Sequence, residues 1–166
     1  MKLALETEIL FRISLSIGDS TQLEPMTRRV LSETLRLLNA SGAAVYMRSG
    51  DALEPVCILP RTLERSARFP PLRACWPSPA DVAAQGWMNV ALDGVVHHLV
   101  DLPEFGLLVI ERSGPVLQSS FLDSFLALAR KLANACRACL SDEALEREKQ
   151  RLEMATSAAS LGVWSW

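Results

Sequence analysis

The side chains with the clearest chemical potential are two thiols, Cys136 and Cys139, which lie three positions apart. This spacing is common in zinc and redox motifs, and on a helix both thiols would share one face. Zinc takes about four ligands, however, and the surrounding stretch LANACRACL offers no third or fourth one. We therefore interpret both residues as small core side chains, and the spacing alone leaves a redox role of the pair open.

Adjacent histidines, His97 and His98, form the second candidate group. Successive side chains of a strand point to opposite faces of the sheet, so the two rings are poorly placed to chelate one metal ion. We expect one ring to face the core or a pocket and the other to face helices or solvent. No metal site is predicted from the histidines or from the cysteines.

Two further groups of residues could contact a small molecule. The segment 60–85 contains four arginines that could bind an anion, although a solvated loop is the simpler interpretation. The four are Arg61, Arg65, Arg68 and Arg73. Aromatic, methionine and histidine side chains could line an apolar cavity between this segment and a sheet, with plain core packing as the alternative. These pocket candidates are Tyr46, Met47, Trp76, Trp87, Met88, His97 and His98.

The composition narrows the class of protein. The 166 residues are 49% hydrophobic and 22% charged with a formal net charge of -2, which is typical of one soluble domain with an extension. There is no glycine-rich phosphate loop, no nucleophile with a base at motif spacing and no catalytic carboxylate pair, so no enzyme activity is predicted. We expect a cytoplasmic location, no nucleic acid partner, no membrane insertion and no cofactor, with a small-molecule ligand left open.

Periodic apolar residues predict the elements that would position these groups. Residues 5–17 place their apolar side chains on one helical stripe that ends at Gly18, and a second helix follows over 25–39. Alternating patterns then predict strands near 43–48, 53–59, 88–92, 95–102 and 107–110. Prolines interrupt the segment 60–85, which is predicted to be irregular. The expected result is an antiparallel sheet of five or six strands.

The last segment predicts one long helix over 119–155. Its apolar residues recur at alternating steps of four and three, which is the seam of a coiled coil. The predicted dimer seam is formed by Leu122, Leu126, Ala129, Ala133, Cys136 and Leu140. A second apolar edge could cover the sheet, and it consists of Phe125, Leu128, Leu132 and Cys139. We expect one face to pack on the domain and the other on a second copy, with residues 141–151 forming a charged, solvated helix.

Three stretches carry a family resemblance: LFRISLSIGDSTQLEPMTRRVLSETLRLLNASGAAVYM, LPEFGLLVIERSG and FLDSFLALARKLANACRACL. They are similar to the opening helices, the last strand and the exit helix of the GAF domain, a regulatory module of bacterial sensory proteins. The resemblance implies an α+β fold over 1–140. In this fold, N-terminal helices and a long C-terminal helix pack on one face of a central antiparallel sheet. It also implies a non-catalytic sensory role.

The closing stretch RLEMATSAASLGVWSW resembles the first helix and first strand of a PAS domain. The resemblance implies a helical signalling linker over 141–158 and the truncated start of a PAS domain over 159–166. The parent would be a multidomain protein of a two-component system, such as a sensor histidine kinase. A homodimer would form through the N- and C-terminal helices, and a ligand would act through its different affinity for two arrangements of the paired helices.

Three alternatives stay open. A domain without a ligand would serve only as a dimerisation spacer. A methionine sulfoxide reductase with a GAF-like fold would need cysteines close together near the pocket, where Cys75 and Cys57 are the ones available. Bilin attachment through Cys75 would require a surrounding motif that the sequence lacks, and the signature of cyclic-nucleotide-binding members is also absent.

Overall fold

A five-stranded antiparallel sheet forms the centre of the computed structural model, which describes residues 2–50, 52–65 and 77–162. The strands are β1 (Gly42–Ser49), β2 (Ala52–Leu59), β3 (Trp87–Leu92), β4 (Val95–Leu102) and β5 (Gly106–Arg112). Their order across the sheet is β2-β1-β5-β4-β3, so β2 and β3 are the edge strands. The predicted sheet of five or six strands is confirmed.

Three helices cover one face of this sheet: α1 (Lys2–Leu15), α2 (Leu23–Leu38) and α4 (Ser119–Gly162). α2 ends because Asn39 adopts the left-handed conformation (φ 48°) and its N–H donates to the Leu35 carbonyl. α4 is a single helix of 44 residues, which at about 1.5 Å per residue is about 66 Å long. The predicted α+β architecture, with the helices on one face, is confirmed. No described helix is long and apolar enough to cross a membrane.

The side chains of the sheet divide into two clusters, because successive residues of a strand point to opposite faces. The helix-side core lies between the sheet and α1, α2 and α4, and its strand members include Ala43, Val45, Cys57, Val100, Leu102, Leu108 and Ile110. The outer-face cluster consists of Ala44, Tyr46, Leu53, Ile58, Val82, Leu99, Leu107 and Val109. The two clusters share no described residue, so the sheet separates them.

The segment 60–85, predicted to be irregular, contains two short helices. One is a 3-10 helix over Arg61–Arg65 and the other is α3 (Pro79–Gln85). α3 begins there because the side chains of Ser78 and Asp81 form a reciprocal capping box and Pro79 suits the first turn of a helix. The sequence therefore contained a helix start signal where its prolines were interpreted only as helix breakers.

Several residues of interest lie outside the described part of the chain. The residues outside it include Asp51, the segment 66–76 and the last residues, 163–166. The segment 66–76 contains the pocket candidate Trp76 and Cys75. The strand predicted at the start of a PAS domain falls within residues 163–166. α4 itself continues through the predicted linker to Gly162.

Candidate functional site

Strand alternation separates the predicted pocket candidates into two groups. The outer face receives Tyr46, Met88 and His97, whereas the helix side receives Met47, Trp87 and His98. One pocket between the sheet and the loop cannot include both groups. The reason is that the candidates form adjacent pairs in strands, and the two members of such a pair point to opposite faces. Trp76 lies outside the described residues.

A buried carboxylate is the most unusual group of the outer face. Glu111, at the end of β5, is only 1% exposed. Its Oε1 accepts a hydrogen bond from the Ser41 hydroxyl at 2.9 Å, and its Oε2 lies 3.2 Å from Nε2 of the fully buried His97. A buried carboxylate without such partners would cost several kcal/mol. These contacts therefore hold β4, β5 and the start of β1 together.

A second polar pair lies at the opposite end of the same face. Arg48 Nη2 lies 3.4 Å from Asp101 Oδ1. Burial raises the pKa of Asp101, and the nearby guanidinium partly offsets this effect. Between the two polar pairs lies Tyr46, the only tyrosine of the chain, whose pKa is raised by burial. The face thus combines an apolar floor with polar groups at both ends, which is the usual composition of a small-molecule site.

The two short helices lie over this floor. Val82 of α3 is fully buried in the outer-face cluster, and Leu63 of the 3-10 helix packs against it. We call the 3-10 helix and α3 the cover, and the floor with its two polar pairs the outer-face site.

On the helix side, His98 is a fully buried titratable group. Its Nδ1 lies 2.6 Å from Asn89 Oδ1, and its Nε2 has no hydrogen-bond partner in the described part of the chain. Burial, and secondarily the charges of Arg112 and His97, lower the pKa of His98 to about 4. The ring is therefore neutral at neutral pH, and Nδ1–H donates to Asn89.

We expect His98 to make the domain sensitive to acid. Because its pKa in the folded chain is about 4, against about 6.5 in an unfolded chain, unfolding takes up a proton in this range and stability falls as the pH drops. The free energy of unfolding should fall by about 2 kcal/mol between about pH 7 and about pH 5. His98→Gln can still pair with Asn89 and should remove this fall in urea titrations. An equally steep fall in the variant would contradict the expectation.

Polar contacts fasten α4 to the rest of the domain between residues 123 and 143. They join Asp123 to the Trp87 indole N–H (2.9 Å), Lys131 to the Ser14 carbonyl (2.7 Å), Arg137 to Glu104, and Glu143 to the Leu23 amide (2.9 Å). The contacts are spread over twenty-one residues of the helix, from 123 to 143. They continue past residue 140, where the sequence pattern placed the end of the domain.

The last of these contacts caps α2. Gln22, at the N-cap position, makes no side-chain capping bond, and Glu143 of α4 accepts the Leu23 N–H in its place. A carboxylate at this position satisfies an otherwise unpaired amide and also interacts favourably with the helix dipole. The start of α2 is thus completed by a residue of the exit helix.

The residues of the predicted dimer seam pack inside their own domain. Exposure is at most 1% for Leu122, Ala129, Ala133 and Cys136, and Leu126 and Leu140 pack half-buried against the helix-side core. Both apolar edges of α4 are used to cover the sheet, α1 and α2. A second copy cannot contact the four buried positions unless the domain opens.

Comparison with known proteins decides the fold family. No protein-family model matches the sequence, and no curated protein matches it. A GAF domain of a candidate sensor histidine kinase from Pseudomonas syringae pv. tomato is 16% identical, with a TM-score of 0.64 over 87% of this chain and 95% of that chain. The GAF domain of an Acinetobacter phosphoenolpyruvate-protein phosphotransferase is 14% identical, with a TM-score of 0.63 over 81% and 94%. The chain has the GAF fold.

The same GAF fold is found with a bound chromophore. The phycoerythrobilin-bound GAF domain of a cyanobacterial phytochrome is 16% identical, with a TM-score of 0.53 over 83% of this chain and 97% of that chain.

The three described cysteines of this domain, Cys57, Cys136 and Cys139, are buried free thiols of the helix-side core. Burial raises the pKa of each thiol, to about 12 for Cys136. The reactive thiolate form is therefore disfavoured, and none of the three lies on the outer face. Across residues 2–50, 52–65 and 77–162, no three His, Cys, Asp or Glu side chains come together as a metal site.

Two important residues of this domain are not indicated by any motif of the sequence. Glu111 ends the apolar run LLVIE, and an acidic residue that continues the alternation of a buried strand face was the available signal. Glu143 looked like one charge among many in a solvated helix. Its partner, Leu23, is 120 positions away, and no local pattern indicates such a contact.

Proposed function

We propose that this chain is a non-catalytic sensory module in which the outer-face site takes a small molecule and α4 carries the response away from the domain. The observation that carries the proposal is the continuity of α4. The helix packs in the helix-side core and then continues beyond Glu143 to Gly162. This extension of about 28 Å, at about 1.5 Å per residue, is not needed to cover the sheet. We propose that it leads to a PAS module and an output domain in the cytoplasm, with a histidine kinase as the output.

The structural neighbours support this reading in two ways. One of them is a GAF domain from a candidate sensor histidine kinase, and two others are bound to bilins in cyanobacterial phytochromes. The fold therefore occurs in a signalling protein and accommodates a small molecule. For this chain we propose an unidentified small molecule rather than a bilin, because no bilin attachment motif surrounds Cys75.

A ligand-free dimerisation spacer is the second candidate, and one observation favours it. The chain itself buries Tyr46, Leu99 and Leu107 to at most 1% exposure, so a ligand has to displace part of the cover. Native mass spectrometry of the purified protein separates the two functions. A retained small molecule supports the sensor, whereas a dimer that holds none, and that no compound of a metabolite library stabilises against heat, supports the spacer.

We further propose a homodimer through the N- and C-terminal helices, with a seam on the side of α4 opposite its buried face. Exposed residues recur there at alternating steps of four and three: they are Ala127, Lys131, Asn134, Ala138, Ser141, Leu145, Glu148 and Leu152. Leu145 is 71% exposed and Leu152 is 60% exposed. Next to this stripe, Phe11 of α1 is 61% exposed and lines a groove with Ala127 and Lys131. A parallel pair of helices would cover all of these side chains.

We expect Leu152→Asp to disrupt this dimer, because the substitution places a charge between two packed helices. The dissociation constant measured by analytical ultracentrifugation should rise by at least about tenfold, which corresponds to about 1.4 kcal/mol. In a fusion of α4 to the catalytic region of a sensor histidine kinase, autophosphorylation should fall together with the dimer fraction.

Met154→Asp is the matched control. Met154 is 65% exposed, close to the 60% of Leu152, but two positions along a helix correspond to a rotation of about 200°, so it points away from the seam. This variant should keep both the dimer and the autophosphorylation. A monomeric parent chain, or equal effects of the two substitutions, would contradict the proposed seam.

A further inference from the structure

The cover is tied to the sheet where α3 ends. Val82 is the buried residue of α3, and the Gly86 N–H donates to the Val82 carbonyl at 2.7 Å. The Gly86 carbonyl accepts from the Asp101 N–H of β4 at 2.8 Å. Gly86 adopts a φ of +84°, which suits glycine and turns the chain from α3 directly into the edge strand β3. The seating of Val82 on the outer face therefore determines where Gly86 lies.

The exit helix contacts this junction from the other side of the sheet. A Cβ atom placed on Gly86 would lie 3.1 Å from both terminal carbons of Leu126, so α4 packs closely against the junction backbone. The next residue, Trp87, donates its indole N–H to Asp123 at 2.9 Å. Asp123 and Leu126 lie one turn apart on α4 and share a face. Two consecutive residues that follow the cover thus contact one turn of the exit helix.

Direct contact at the sheet edge matters because the sheet separates the two clusters. The outer-face cluster and the helix-side core share no described residue. β3 is an edge strand, so at its start the chain reaches from one face to the other without crossing the ladder of strands. Movement of α3 can be passed to α4 here through the Gly86 backbone, which packs closely on Leu126, and through the Trp87 side chain, which is bonded to Asp123.

We infer that the contact of Gly86 and Trp87 with Leu126 and Asp123 couples the seating of α3 on the outer face to the position of the exit helix. This coupling would connect the outer-face site to α4, and its biological role rests on the proposed sensory function. The coupling itself is a property of the chain without a ligand. A ligand beneath the cover would act on α4 only to the extent that it favours one seating of α3 over another.

Hydrogen exchange of the full chain, followed by mass spectrometry, tests this coupling. Val82→Ala loosens α3 without adding bulk, and it should speed amide exchange over residues 119–129 of α4 by about fivefold or more, the lower end of typical coupling between sites. In a Leu126→Ala background, and in a Trp87→Phe background that keeps an aromatic side chain but loses the N–H donor, the same substitution should have a much smaller effect on α4. Exchange in α2 reports any general loss of stability.

Leu53→Ala is the matched control. Leu53 is buried in the same outer-face cluster, but it lies on β2, the opposite edge of the sheet. The Leu53→Ala substitution should speed amide exchange in α4 only as much as in α2. Equal effects of Val82→Ala and Leu53→Ala on 119–129, or an effect of Val82→Ala that persists in both backgrounds, would overturn the inference. The proposed sensory function would still stand or fall separately, on whether the purified protein retains a small molecule or is stabilised by a compound of the metabolite library.

Discussion

Replacing Glu111 by alanine should lower the free energy of unfolding by about 3–5 kcal/mol. The substitution removes the carboxylate beside His97, whose side chain is fully buried, and one of the two acceptors of the Ser41 hydroxyl, which keeps the Glu111 carbonyl at 3.2 Å. A broken buried pair costs this much because the remaining polar group stays out of water without its partner. Urea denaturation followed by circular dichroism measures the loss. The transition should keep its slope and shift to lower urea concentration.

Two further substitutions show whether this loss belongs to the buried pair. Glu111→Gln keeps an acceptor for Ser41 and should cost less, about 1–2 kcal/mol. Glu104→Ala removes a carboxylate whose side chain is 76% exposed and which pairs with Arg137 at the surface. Surface pairs contribute about 0–1 kcal/mol, so this change should be nearly neutral. A cost of Glu111→Ala no larger than that of Glu104→Ala would show that the buried pair does not stabilise the sheet.

Gly106→Ala should lower the free energy of unfolding by about 3 kcal/mol or more, at the upper end of the range for overpacked sites. A Cβ atom at this position would lie 2.0 Å from the Tyr46 carbonyl oxygen and 3.0 Å from the Met47 Cα. Both neighbours are backbone atoms of β1, which pairs with β5 at this point. The clash can therefore be relieved only if the two strands β1 and β5 move apart, because no side-chain rotation removes it. Chemical denaturation measures the effect.

Gly114→Ala provides the comparison for this prediction. A Cβ atom on Gly114 would meet nothing within 4 Å, so the change should stay within about 0.5 kcal/mol of the parent chain. If both glycine variants were equally stable, β1 would have to accommodate a side chain at its closest approach to β5, and the strand register would be in doubt.

Local sequence patterns predict most of the architecture. Alternation places the five strands close to their observed positions, and Asn39 ends α2 as a stop signal should. These predictions succeed because each depends on residues near one another in the chain. The start of α3 also depends only on neighbouring residues, since Ser78, Pro79 and Asp81 form its start signal. The neighbouring prolines obscure this signal, because proline also interrupts helices.

The candidate site was less predictable because its parts depend on what covers each surface. Helical periodicity shows that Leu122 and Ala129 share an apolar face, but it does not show whether a second copy or the same domain covers that face. The same limit applies to Tyr46 and Met47. Their types suit a pocket equally well, and only the sheet topology decides that Tyr46 lies under the cover and Met47 lies among the helices.

The capping of α2 by Glu143 has a consequence for the order of events during synthesis. The bond joins residues 120 positions apart, and the contact of Lys131 with Ser14 joins residues 117 apart. The N-terminal helices therefore leave the ribosome long before the helix that covers and caps them. Contacts of such high sequence separation form slowly, because most of the chain must be ordered to close them. The helix that leads out of the domain is thus also the element that completes its fold.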